Sequence, residues 1–496
     1  MEVIYYDVED TQDIKSDVGF DEIREIVYSS NGKCEITVVI QAYGKLDKTR
    51  LCVETVLEHT RDLEYKLILV DNGTPTDEIL DYYKSIKHDN LRILKISKNL
   101  TSCFAVSIFK NLIDTEYLAI VNNDIIVTSN WLSNLMSCIK SSYKIGMVCP
   151  VSTNISNLQE EDLGGFYSLE NMQEKAAIFN QSDPNKWEEK LKLIPTVTVL
   201  RREIIDRVGT YDISFYHDFG DDDYSFRIRR AGYQLKLCRD TFVHHNHVRS
   251  IEEEEAVQKI FLKGRMDFQK KYFGLDAWED ALNGINAYLN GFPMLKDNDS
   301  IKRALFLEPR CGTPILDMKN FLKREEELQF DAFITDAKYH VDLQLIADRL
   351  NTGGIHTISE VYRDNMFDFA ILCEDINNYE NPFVLLDKIG RTVKTGGYII
   401  IRLGNVYDYR TLFTTLGFTK MWNQQSSYAL HYENLIAKIN EMIGNQMEVI
   451  CQPHVVNKAA KDLVNELLKN LLNGENKDVV EETLMTEKFW FCIRKK

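Results

Sequence analysis

Residues 196–250 read TVTVLRREIIDRVGTYDISFYHDFGDDDYSFRIRRAGYQLKLCRDTFVHHNHVRS, and the rest of the chain is organised around them. Gly220 is followed by three carboxylates, Asp221, Asp222 and Asp223, and then by an amphipathic segment, Tyr224 to Ala231, whose Arg227, Arg229 and Arg230 suit a helix. Like charges crowded at a helix start repel and raise one another's pKa, while the helix dipole offsets up to about 1 kcal/mol per charge. A carboxylate held in this way can act as a general base. After Gly232 the pattern turns strand-like (Tyr233, Leu235, Leu237), and Phe242-Val243 runs into His244, His245, Asn246 and His247, a cluster rich in metal-ligand atoms. Taken alone, these residues would equally make an acidic helix cap and a surface histidine cluster.

Upstream, strand and helix patterns alternate. Glu35 to Ala42 (EITVVIQA), Tyr65 to Val70 (YKLILV), Leu91 to Ile96 and Tyr117 to Val121 are short apolar runs of the kind that form buried strands, with helical stretches such as Lys48 to His59 between them. This predicts an α/β domain with a mostly parallel sheet covered on both faces. In such sheets ligands sit beyond the carboxyl ends of the strands, where Tyr43, Asp71, Asn72 and Asp124 fall. Asp124 ends the run YLAIVNND, so it faces the crevice and not the core. One carboxylate with diphosphate oxygens is a usual arrangement for Mg2+ or Mn2+, although Asn-Asn-Asp is also a good turn.

With 496 residues the chain is too long for one core and suggests two to four domains. Its net charge of -17 argues against nucleic-acid binding, and a phosphate would need a local cation. Ten cysteines without a CxxC pair favour reduced thiols in a cytoplasmic protein. The acidic N-terminus is unlike a signal peptide, and no run approaches the ~18 apolar residues of a membrane span. Residues 1–35 read as a cap with one short helix (DEIREIVYSS), 36–250 as the first domain, 251–298 as a helical bracket and linker, and 299–496 as a second α/β domain with added helices.

Together, TVVIQAYG, LILVDNGTPTD, YLAIVNND, IGMVCP, the acidic block and FVHHNH occur in an order that resembles the inverting family 2 glycosyltransferases of the nucleotide-diphospho-sugar (GT-A) fold, over roughly residues 36–275. The resemblance implies transfer of a sugar from a nucleotide-diphosphate donor, a UDP-sugar such as UDP-GlcNAc being favoured, to an acceptor hydroxyl. It implies Asp221 as catalytic base with Asp222 as the alternative. Gln41, Ala42, Tyr43, Asp71, Asn72, Asn99, Asn123 and Asp223 are then nucleotide- or donor-binding, and Asp124 with His244, His245 or His247 holds Mn2+ or Mg2+. The chain departs from the family pattern at Gln41-Ala42, Asn72, Asn122, Gly220 and the segment LTSCFAVS (100–107), which leaves nucleotide and sugar open. A protein acceptor such as flagellin, a capsule or lipopolysaccharide glycan, a bifunctional glycosyltransferase-methyltransferase and a non-catalytic nucleotide-sugar binder are the alternatives for the whole chain.

From Ile301 a second alternating pattern begins, ending in FDFAILCEDINNYENPFVLLDKIGRTVKTGGYIIIRLGN (367–405), and it resembles the later strands of class I methyltransferases. In that Rossmann-like family the first loop is glycine-rich. Here it is Glu308-Pro309-Arg310-Cys311-Gly312, which makes S-adenosylmethionine unfavoured and an acceptor-binding or assembly role expected. Leu463, Leu467, Leu468 and Leu471, at helical spacing, are candidate core or homo-oligomer contacts. Trp187 is expected on a helix within an acceptor-side insertion (151–195), and Lys488 to Ile493 on a closing strand.

Overall fold

The computed structural model describes residues 2–8, 34–212, 214–215, 219–246, 251–296, 298, 300–323, 328–408, 435–437, 439, 450–455 and 484–495. The chain divides into two compact units, Met1–Leu282 and Asn283–Lys496. The helix DEIREIVYSS, His247 and the leucines 463 to 471 lie outside the described residues.

The first unit is built on a ten-stranded sheet. Its strands are β1 (Glu2–Tyr6), β2 (Ile36–Ala42), β3 (Tyr65–Asn72), β4 (Leu91–Ile96), β5 (Tyr117–Asn122), β6 (Ile125–Ile126), β7 (Ile145–Ser152), β8 (Trp187–Lys190), β9 (Val197–Arg201) and β10 (Gln234–His245). They lie in the order β1-β4-β3-β2-β5-β9-β7-β10-β6, with β8 on the side of β10. This is the GT-A arrangement: β2, β3, β4 and β5 run parallel, and β9 is inserted antiparallel between β5 and β7.

All seven residues of β2 are buried, as a central strand covered on both faces requires. Period-2 alternation sends Ile36, Val38, Ile40 and Ala42 to one face. There they meet Cys52, Val53 and Val56 of helix Leu46–His59 and Trp131 and Leu135 of helix Trp131–Lys140. Val39, with Ile68 and Val70, packs into the opposite layer with Phe109, Ile204, Tyr224 and Ile228.

Two segments differ from the pattern-based expectation. Glu2–Tyr6 is not simply a cap: it forms β1 and joins the sheet edge beside β4, Glu2 opposite Arg92 through Tyr6 opposite Ile96. Trp187 lies on β8, not on a helix; Trp187–Lys190 pairs antiparallel with Leu235–Cys238, and the helix of that insertion is Leu169–Phe179. The stretch WEEK carries one apolar residue, so its strand state comes from pairing with β10 and not from its own pattern.

The second unit carries β11 (Arg303–Leu307), β12 (Gln329–Ile334), β13 (Arg349–Thr352), β14 (Phe367–Asp375), β15 (Val393–Gly404), β16 (Ile450–Val455) and β17 (Thr486–Arg494), in the order β13-β12-β11-β14-β15-β17-β16. The first five are parallel, and β17 enters antiparallel between β15 and β16. This is a Rossmann-like sheet. Among the described residues no helix is long and apolar enough to cross a membrane, and eight cysteines are free thiols, seven of them buried.

The turn after β3 shows how tightly the carboxyl ends are packed. Gly73 has φ +80°, and a Cβ there would lie 2.1 Å from the carbonyl carbon of Lys98 and 2.2 Å from the amide nitrogen of Asn99. Gly73→Ala is therefore expected to cost about 2–4 kcal/mol, from the left-handed backbone and the overpacking together. Urea unfolding of the full chain measures it; a loss under about 0.5 kcal/mol would mean that the two loops do not need this approach.

Candidate active site

The parallel strands end in loops that meet on one edge of the sheet. At the end of β3, Asp71 is fully buried, accepting from the Thr74 amide (2.9 Å) and from Lys95 Nζ (2.6 Å), which also reaches the Thr74 carbonyl. Asn72 is buried as well. Its Oδ1 accepts from the Leu100 amide (3.1 Å) and its Nδ2 donates to Asn99 Oδ1 (3.3 Å). Both side chains thus shape the 72–75 and 97–100 loops, and Asn99 is exposed at the rim. At the end of β2, Ala42 is buried and Tyr43 is 47% exposed, while the Gly44 amide donates to Thr74 Oγ1 (3.0 Å). Gln41 is buried with its Oε1 unpartnered among the described residues. An orphaned acceptor costs about 1–3 kcal/mol unless a ligand supplies a donor.

At the end of β5, Asn123 turns toward helix Leu46–His59, donating to Thr49 Oγ1 (2.9 Å). Asp124 points the other way, to His245, with 3.5 Å between its Oδ2 and the ring Nε2. His245 is the last residue of β10, whose register places His244 opposite Ile126 and His245 opposite Ile125. Four hydrogen bonds from Thr153 and Asn154, just after β7, fix the two histidines. Thr153 Oγ1 lies 2.6 Å from His244 Nδ1 and accepts from the His245 amide (3.1 Å). Asn154 Nδ2 donates to the His245 carbonyl (2.9 Å), and the Asn154 carbonyl lies 3.1 Å from His245 Nδ1. A carbonyl can only accept, so His245 Nδ1 carries a hydrogen. In the neutral ring Nε2 then turns a lone pair toward the Asp124 carboxylate. Two acceptors facing each other at 3.5 Å fit a cation between them, and a carbonyl-bound second nitrogen is the usual setting of a metal-ligating histidine. His244 instead packs edge-on against Phe166, ring centroids 5.2 Å apart, and burial lowers its pKa.

Among the described residues no three His, Cys, Asp or Glu side chains are gathered as a metal cluster. A cation at Asp124 and His245 would draw most of its remaining ligands from water and a bound diphosphate.

The acidic block begins helix Gly220–Arg230. This helix must end near the start of β10, so its first turn lies toward the carboxyl edge. The segment preceding β9 lies on that edge too, because Val197 pairs with Val121 and the Asn122 amide donates to the Thr196 carbonyl (3.1 Å). Lys192 of that segment binds Asp222 Oδ1 (2.5 Å), and the Leu193 amide donates to Ser225 Oγ (3.2 Å).

The three aspartates have different fates. Asp223 is fully buried, accepting from Arg227 Nε (2.8 Å) and Tyr272 Oη (2.7 Å), with Lys271 Nζ at 2.5 Å. Asp222 is paired with Lys192. Asp221 keeps part of its surface exposed, and its carboxyl is pushed up to about 7 by burial first and by the Asp222 charge second, against the opposing Lys192 ammonium. Sequence reasoning did not single out Lys48, Thr49, Lys95, Thr153, Asn154 or Lys192.

At the carboxyl end of β11 in the second unit, Glu308 (φ +54°) and Arg310 (φ +49°) stand in the left-handed region. Arg310 Nε reaches Glu374 Oε1 (2.5 Å), and Glu308 is buried with its carboxyl pushed up to about 7. A cofactor that needs bare backbone at this loop does not fit these side chains.

Residues 37–209 match the family model described as Glycosyl transferase family 2. The uncharacterized protein y4gI of Sinorhizobium fredii is 23% identical over 269 residues, which is 51% of this chain and 29% of that protein. The chain thus spans less than a third of that relative's length. Among solved structures, a mannosyltransferase from Pyrobaculum calidifontis, in complex with GDP-Man and Mn2+, is 12% identical. It aligns over 48% of this chain and 65% of its own, with a TM-score of 0.36. An S-adenosylmethionine-dependent methyltransferase from Archaeoglobus fulgidus is 15% identical over 46% of this chain and 99% of its own, with a TM-score of 0.34.

The Asp221 carboxyl has a consequence for stability. Its folded pKa of about 7 lies above the ordinary value near 4, so the folded chain holds a proton there that the unfolded chain has lost. Stability is thereby lost as pH rises from about 4 to about 7. Asp221→Asn is expected to gain on the parent over that interval and to level off above it, as read by urea unfolding between pH 5 and 8. Parallel curves for the two proteins would show an unshifted carboxyl.

Proposed function

We propose that the first unit is a metal-dependent, inverting glycosyltransferase that takes its sugar from a nucleoside-diphosphate donor. Asp221 carries this reading: a partly exposed carboxyl whose pKa matches neutral pH, on the edge of the sheet where Asp124 and His245 also lie. General bases work best with a pKa near the operating pH. Asp221 takes the proton of an acceptor hydroxyl as that oxygen bonds to the anomeric carbon and the bond from this carbon to the diphosphate oxygen breaks, which inverts the configuration. Asp222, tied to Lys192, raises the basicity of its neighbour and is the lesser candidate for the base.

Asp124 and His245 hold the divalent cation in this scheme, and Asn154 orients the ring. When bound, that cation neutralises the charge growing on the leaving diphosphate. A nitrogen donor beside a carboxylate favours Mn2+ over the harder Mg2+. Gln41 supplies an acceptor for a ribose hydroxyl or base N–H, and the exposed Tyr43 ring a face for the base. Asp71, Asn72 and Asn123 act by holding the loops, and Asp223 by bracing the helix. A UDP-sugar is the proposed donor, and a cytoplasmic site of action goes with the free thiols. For the acceptor, a hydroxyl on a polypeptide such as flagellin is proposed, with a polysaccharide as its rival; the loop after β7 presents Leu158 (65% exposed) and Tyr167 (87% exposed), a surface on which an extended polypeptide can lie. The second unit is proposed to serve acceptor binding or assembly without S-adenosylmethionine.

Donor hydrolysis tests the chemistry without the acceptor. With UDP-sugars and Mn2+, Asp221→Asn is expected to lower the rate by on the order of 10²- to 10⁴-fold while leaving nucleotide binding intact. The parent rate should climb with pH to a plateau, with an apparent pKa near 7. His245→Ala is expected to weaken Mn2+ binding by about 10- to 100-fold in a paramagnetic titration. Full activity in Asp221→Asn would remove the assigned base, and unchanged Mn2+ affinity in His245→Ala would remove the metal site.

A further inference from the structure

The donor edge is crowded with carboxylates, and its cations are largely committed: Lys95 to Asp71, Lys192 to Asp222, Arg227 and Lys271 to Asp223. A nucleoside diphosphate would add more negative charge, in a chain that already carries -17. One ammonium group at this edge is differently placed. Lys48, in the first turn of helix Leu46–His59, donates from Nζ to the carbonyl of Asn246 at 2.5 Å. The amide of the same Asn246 donates to the carbonyl of Asp124 at 2.8 Å. Next to Lys48 in sequence, Thr49 Oγ1 takes the Asn123 amide. Lys48 is thus strapped to both chain segments that carry the facing pair, Asp124 and His245. Among the described residues it has no carboxylate partner, and a carbonyl engages one of its three N–H groups.

We propose that Lys48 is a phosphate-binding residue of the donor site, its ammonium taking a non-bridging oxygen of the nucleoside diphosphate beside the divalent cation. The proposal rests on the donor reading above. The chemistry is that of a compact cation on a flexible stem meeting a polyanion, a role lysine fills as a point charge. Lys48 supplies positive charge where Asn122 and Asn123, in place of acidic residues, leave Asp124 as the one carboxylate of its run to draw a metal. Its carbonyl contact holds the stem across the site, so that the remaining N–H groups need little reordering to bind.

The test uses the full chain and compares Lys48→Gln and Lys48→Arg with the parent. Calorimetric titrations with UDP and GDP, and with uridine and guanosine, are run in Mn2+, and Mn2+ alone is titrated by electron paramagnetic resonance. Lys48→Gln is expected to weaken whichever diphosphate the parent binds by about 10- to 100-fold, the value of one charged hydrogen bond, with a shallower salt dependence. Binding of the matching nucleoside and of Mn2+ should stay within twofold, and Lys48→Arg should recover most of the loss. Equal weakening of nucleoside and diphosphate, or weakened Mn2+ binding, would overturn the proposal and make Lys48 a strap only. If the parent itself binds neither diphosphate, the donor reading fails and this inference with it, an outcome distinct from failure at Lys48 alone.

Discussion

When the His245 ring is neutral, its Nδ1 hydrogen goes to the Asn154 carbonyl and its Nε2 is left as an acceptor, a tautomer fixed by its neighbours. The parallel ladder between β7 and β10 sets Val243 against Ser152, so the residues that follow each strand run on beside one another as Thr153-Asn154 and His244-His245. The hydrogen bonds between them consume the backbone groups of His245 and one of its ring nitrogens. What remains is Nε2, turned to Asp124. The facing pair is thus a product of strand register: a one-residue slip of β10 would exchange the two histidines and turn the ring that faces Asp124 into the layer now filled by His244 and Phe166.

The run of three aspartates follows a similar logic. On a helix successive side chains are about 100° apart, so three consecutive carboxylates cannot share one environment. Asp223 turns inward to Arg227 and Tyr272, Asp222 turns to Lys192, and Asp221 is left between burial and solvent. Ion pairing takes the charge of the second and third, while the first has a carboxylate for a neighbour and a shared, more distant ammonium. That asymmetry sets one carboxyl apart from three chemically identical residues. It also explains why burying so much acid at one helix start is tolerated: only one of the three lacks a cation of its own.

Much of the frame was legible because fully buried strands such as ITVVIQA and YKLILV announce themselves as apolar runs, and Asp124 and Asp221 follow directly from where such runs and helix starts fall. The supporting residues were not legible in the same way. Lys192 lies 30 residues from Asp222, Thr153 lies 91 from His244 and Lys48 lies 198 from Asn246, so each partnership exists only once the sheet order is known. Asp71 and Asn72 show the reverse limit. Their position at a strand end marks them for the ligand crevice, but whether a side chain there turns outward or into the loop depends on Lys95 and Leu100, which belong to the next strand and its loop. Trp187 and β1 were misread for a related reason, since edge strands owe their state to the neighbour they pair with.

The second unit separates fold from site. Its sheet order and parallel core need only apolar strands and short connections, and those survive in RALFL, FDAFI and FDFAIL. A cofactor loop needs more, since close approach to backbone demands residues without side chains at positive φ. Here Glu308 and Arg310 occupy such backbone at a cost of about 1–2 kcal/mol each. Their side chains offset that cost locally, Glu308 by accepting from the Thr335 amide at 2.9 Å and Arg310 by its ion pair with Glu374. The strained positions of this loop are thus spent on contacts within the unit itself.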